Sequence, residues 1–182
     1  MKKLQITLVS LSTILLASCL PGVHEEPSPF KPVATIQDVM QSIIDPNIDF
    51  VWNSVATVST ADGIEEKRPQ TNEEWQVIKQ HALTVLEAGN LLVMAGRPVA
   101  GTGANTSSGG AELSAGDIQH LIDANRGEFV AKAHGLHAAM QQVIAAIDKQ
   151  DVEEFEKAGS QVEHACEQCH SQFWYPNDQR PQ

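Results

Sequence analysis

The sequence predicts an all-α protein, an antiparallel four-helix bundle. Three observations lead there. Long stretches repeat apolar residues at i, i+3, i+4 and i+7, clusters of Pro, Gly and Ser separate them, and no alternation of Val, Ile and Thr competes as a strand pair. The chain has 182 residues, 42% of them apolar, which is enough for one domain with a modest core. Twelve Lys and Arg stand against 23 Asp and Glu, a net charge of -11. That balance argues against a nucleic-acid partner. Charged residues make up only 19% of the chain, and its amphipathic stretches are long, so it should fold rather than stay disordered.

Residues 1–18 read as a targeting segment. Met1-Lys2-Lys3 is a short basic start, and the apolar run from Leu4 to Leu16 is well short of the roughly 20 residues a spanning helix needs. Leu16-Ala17-Ser18-Cys19 resembles the lipobox of bacterial lipoproteins. By that resemblance Cys19 is the lipidated first residue of the mature chain, and Leu20 in place of Asp points to the outer rather than the inner membrane. Residues 19–34 then form a tether. Pro21, Pro27, Pro29 and Pro32 favour extended polyproline II structure, with a reach of at most roughly 45 Å at about 3.1 Å per residue.

The domain is expected over 35–175, with a short tail at 176–182. Ile36, Val39, Met40, Ile43 and Ile44 begin a first helix that Ile48, Val51, Trp52 and Val55 continue, over about 35–58 with a kink at Asp45-Pro46-Asn47. Thr71 with Glu74 three residues on is a capping-box signal for a second helix over about 72–95, whose face holds Trp75, Ile78, Ala82, Val85 and Leu86. The segment from Arg97 to Gly116 has no periodicity and reads as a long flexible connection. A third helix is expected from Ser114 to Lys149 and a fourth over about 151–174, where Val152, Phe155, Ala158, Val162, Ala165, Cys169 and Phe173 share a face before Pro176.

The chemistry lies in the last of these. Cys166-Glu167-Gln168-Cys169-His170 matches C-x-x-C-H, the c-type haem attachment signature. On a helix the two sulfurs and the imidazole fall within an arc of about 100°. One face can therefore hold both haem vinyl groups while His170 reaches the iron. Three other readings are weaker. A thioredoxin-like pair belongs at a helix start after a strand, zinc wants four ligands and, although His164 and His170 flank the two Cys, no second C-x-x-C or H-x-x-x-H closes a tetrahedron, and a disulfide between helical residues three apart has poor geometry.

With this motif at the end of a fourth helix, the body from about 35 to 175 resembles the cytochrome c′ family, the class II c-type cytochromes. The resemblance implies one covalent haem c at one end of the bundle, thioether bonds from Cys166 and Cys169, and His170 as the proximal iron ligand. The family's aromatic residue three places after that His is present as Phe173, but the usual Arg or Lys that follows is Trp174. Low-spin members place a Met of the first helix on the iron; high-spin members leave the sixth position open. In an up-down-up-down bundle the end of the fourth helix lies beside the start of the first. Met40 is at that end on the apolar face and is the expected distal ligand. Met94 competes with a helix terminus, and Met140 is at the wrong end. His81, His120, His134, His137 and His164 read as ordinary bundle or surface residues.

The expected function is a membrane-tethered, periplasmic electron carrier exchanging with periplasmic or membrane redox proteins, and the reading leaves room for a homodimer. A thioether ligand and a buried haem both raise the reduction potential, which suits that role. The alternative is a five-coordinate haem protein that binds nitric oxide or carbon monoxide. No nucleophile-base pair, carboxylate pair or phosphate loop marks a substrate-turnover enzyme.

Overall fold

Thr35 opens the first helix with a capping box: its hydroxyl accepts the Asp38 N–H at 3.0 Å while the Asp38 carboxylate accepts the Thr35 N–H at 2.9 Å. The helix α1 runs Ile36–Val39 and then widens into a π-helical turn, Met40–Ile44, before α2, Asp45–Trp52. Pro46 supplies no N–H to the turn before it. The interruption expected at Pro46 therefore takes the form of a π turn just ahead of it, closed by the Asp45 N–H on the Met40 carbonyl. This computed structural model describes residues 30–107 and 109–178. Cys19, the targeting segment and the tether up to residue 29 lie outside the described residues.

The first helix ends at Trp52 rather than near 58, and a β-hairpin follows, β1 at Ala56–Thr60 and β2 at Gly63–Lys67. This corrects the expectation that no strand pair would form. The strands are antiparallel, with Ser59 opposite Ile64 and Thr60 opposite Gly63. Nearly every hairpin position is exposed, so no buried face imposed an alternating pattern to read. The signal that was available is Asp62-Gly63, with Gly63 at a φ of 136°.

Thr71 and Glu74 form the expected capping box at the start of α3, Asn72–Leu92. The segment after it is not a free connection, contrary to the sequence reading. The Pro98 and Val99 carbonyls accept the Ile36 and Gln37 N–H groups at 2.9 Å each, serving donors that a helix start leaves unpaired. Val99 is 1% exposed, and its N–H donates to Gln119 Oε1 at 2.9 Å. Arg97 is buried too, donating to the Leu91 carbonyl at 2.6 Å and to the Ala34 carbonyl. The segment is a strap sewn to the body.

The single helix expected over 114–149 is split into α4, Ala115–Ala124, and α5, Arg126–Lys149. Asn125, at φ -126° and ψ 39°, makes the break and turns its amide back on the Leu121 carbonyl at 2.9 Å. Gln150, left-handed at φ 54°, ends α5, and Asp151 caps α6, Val152–Phe173. Helix α5 packs on α3 and α6, and α2 packs on α3. Met140, Val143 and Ile147 of α5 are buried with Val85 of α3, Val162 of α6 and Val51 of α2. Burying each such side chain contributes on the order of 1.5–3 kcal/mol. Trp75 and Phe155 meet edge to face, ring centroids 5.8 Å apart. The protein is thus mostly helical with a small two-stranded sheet. Among the described residues no helix is long and apolar enough to cross a membrane.

Candidate functional site

The last turns of α6 carry Cys166, Cys169 and His170, all half-buried, because Val162 and Phe173 anchor the same helix in the core on either side of them. Both cysteines are free thiols. Together with His170 they line one cavity of about 370 Å³. Its wall is largely apolar, with Ile44 and Ile48 from the first helical stretch, Leu92 from α3, and Phe129 and Leu136 from α5. Met40 completes this lining, so the structure brings all four expected site residues of the folded domain together around one space. Of the methionines weighed against it, Met140 is fully buried in the core, and Met94 takes an N–H from Arg97 on its sulfur at 3.3 Å.

Electrostatics leave these groups uncharged. Burial pushes the Cys166 thiol up to about 11, and the negative charge of Asp45 acts the same way. Burial likewise pushes Cys169 up to about 11, with Cys166 adding to it and Lys132 opposing. For His170 burial lowers the pKa, against the opposing pull of Asp45, Glu167 and Glu112. Its imidazole is held neutral with a lone pair to give, as a metal ligand requires. Asp45 stands at the cavity mouth with its pKa raised by partial burial, a shift that His170 opposes. The sequence reading took residues 45–47 only as a kink and missed this carboxylate, which carries no motif of its own.

Behind His170 lies a second cavity of about 400 Å³, also reached by Met40 and Asp45 and closed by the strap residues Asn105 and Thr106. The aperiodic strap gave no sequence signal for either. Thr106 is buried, and its hydroxyl has no hydrogen-bond partner among the described residues. His170 is framed by Trp174 and Tyr175, ring centroids 6.2 and 6.3 Å away, and the Tyr175 hydroxyl donates to Glu167 at 2.6 Å. Phe129, which lines the first cavity, meets Phe173 edge to face at 5.5 Å.

The residues present fit a c-type haem. Two neutral thiols and a neutral imidazole share one cavity, and its walls suit an apolar macrocycle. His120, His134 and His164 are exposed, His81 and His137 half-buried, and none of them lines either cavity. No curated protein sequence matches the chain. The family model described as Cytochrome C' matches residues 103–174, a span that includes α4, α5, α6 and the whole attachment motif and stops short of Met40. Residues 103–174 thus match the Cytochrome C' family, a family that implies a covalent c-type haem, and the site geometry agrees with that match.

Proposed function

We propose that the protein is a monohaem c-type cytochrome that carries electrons, with Cys166 and Cys169 as thioether anchors, His170 as proximal ligand and Met40 as sixth ligand. The observation that carries this reading is the cavity shared by Met40 and His170 with both thiols between helices of different origin. The fold in this reading is an antiparallel four-helix bundle formed by the stretch 36–52, α3, α5 with its short leader α4, and α6. Haem supplies a one-electron iron couple. The chain's own residues hold it at two sulfurs, keep water from it with Phe129, Leu136 and Ile48, and offer the iron a soft thioether that favours the reduced state.

The protein is exported and held at the periplasmic face by lipid on Cys19, at the outer rather than the inner membrane, and exchanges electrons with periplasmic or membrane redox proteins. The support is the run Leu16-Ala17-Ser18-Cys19 ahead of a proline-rich tether. The deciding experiment is the absorption spectrum of the purified mature protein in both oxidation states. A low-spin spectrum with a Met–iron near-infrared band is expected. A high-spin spectrum with immediate uptake of carbon monoxide would replace the carrier by a gas-binding haem protein.

A further inference from the structure

The π turn that begins at Met40 is tied to a neighbouring helix through one side chain. The Nδ2–H of Asn47 donates to the Ile43 carbonyl, inside the turn, at 2.6 Å. At the other end of the same amide, Asn47 Oδ1 lies 2.7 Å from Nδ1 of His81 on α3. A carbonyl only accepts, so the amide nitrogen must face Ile43 and the amide oxygen His81. His81 then carries its proton on Nδ1 and donates it to Asn47. The Phe50 ring lies on this imidazole, centroids 3.8 Å apart and planes 19° from parallel.

From this geometry we infer that Asn47 and His81 are positioning residues for Met40, holding the π register that turns its side chain into the cavity beside His170. The inference rests on the reading of Met40 as the sixth ligand. A π turn contains one residue more than an α turn, so relaxing it to α geometry rotates the residues on one side by about 100° relative to the other. Met40 and Asp45, five residues apart, would stand roughly 140° from each other on a regular α-helix, and the extra residue of the π turn between them brings both to the same cavity. Isolated π turns are uncommon because their hydrogen bonds are poorly disposed, and Pro46 removes one donor more. Asn47 returns a donor to the turn and His81 fixes that donor to α3. Neither side chain lines the cavity, so both act on the iron site only through the turn.

The test uses the full-length, haem-loaded protein in parent, Met40→Ala, Asn47→Leu and His81→Leu forms. The readouts are the ferric near-infrared Met–iron band, the association rate of carbon monoxide with the ferrous protein, and the melting temperature. Met40→Ala should abolish the band. Asn47→Leu and His81→Leu should keep the band but weaken it, and should speed carbon monoxide binding about tenfold, as loss of one hydrogen bond that favours the closed register would do. His81→Gln, which keeps an N–H donor, should return the rate toward the parent value. A band and rate equal to the parent's in both leucine variants, with only the melting temperature lowered, would overturn the positioning role while leaving Met40 as ligand. A parent spectrum unchanged by Met40→Ala would overturn the ligand reading and this inference with it. Should Asn47→Leu fail to fold, His81→Leu decides the matter alone.

Discussion

The indole Nε1–H of Trp174 donates to the carbonyl oxygen of Thr106 at 3.1 Å, linking the end of α6 to the strap between α3 and α4. The Trp174 carbonyl in turn accepts the Leu113 N–H at 2.8 Å, so one residue clasps the strap on both sides of residue 108. This residue stands where the cytochrome c′ resemblance led one to expect Arg or Lys. Trp174→Phe removes the donor and keeps the ring. It should cost about 1 kcal/mol, equivalent to a few degrees in Tm for a domain of this size. Amide exchange should quicken around Thr106 before it quickens in α5. Unchanged protection there would show that Val99 and Arg97 hold the strap without help.

The two thiols should each account for one covalent link to haem. Cys166→Ala or Cys169→Ala should leave haem held by a single bond, and the double variant should lose it on a denaturing gel stained for haem. Covalent haem retained at parental level in the double variant would remove the basis of the site.

Met40→Ala should convert a low-spin centre to a high-spin one and open the iron to carbon monoxide, because no other methionine among the described residues lines the cavity with His170. The parent should bind the gas slowly, since the thioether must leave first. Rapid binding by the parent would shift the function toward gas capture.

Cys19→Ser should release the protein from the membrane into the periplasm with its haem spectrum unaltered. The reason is separation: the candidate lipid site precedes a tether that begins well before the first helix at Ile36. Membrane retention of this variant after a salt wash would mean that something other than lipid anchors it.

Much of the architecture was legible in the residues. Thr71 and Glu74 marked the start of α3 because a capping box is local chemistry, and the face of Phe155, Ala158 and Val162 marked α6 because burial imposes a helical period. The hairpin was not read, since exposed strands leave no apolar alternation and only Asp62-Gly63 betrayed the turn. The break at Asn125 was passed over because the apolar period continues from Ile118 and Ile122 to Phe129 across it.

By itself the sequence determined that Cys166, Cys169 and His170 stand together, because two thiols and an imidazole within five helical residues must share a face whatever the rest of the chain does. It determined too that Met40 lies on the apolar stripe of the first helix, while the π turn decided which neighbours share its cavity. Which partners surround those groups was decided only by tertiary structure. Asp45 and the strap residue Thr106 beside His170, and the Asn47–His81 link to the π turn, each depend on segments far apart in the chain. No local period or motif encodes such meetings, since they arise when Pro98 and Val99 seat the strap on the first helix and α3 packs against α2.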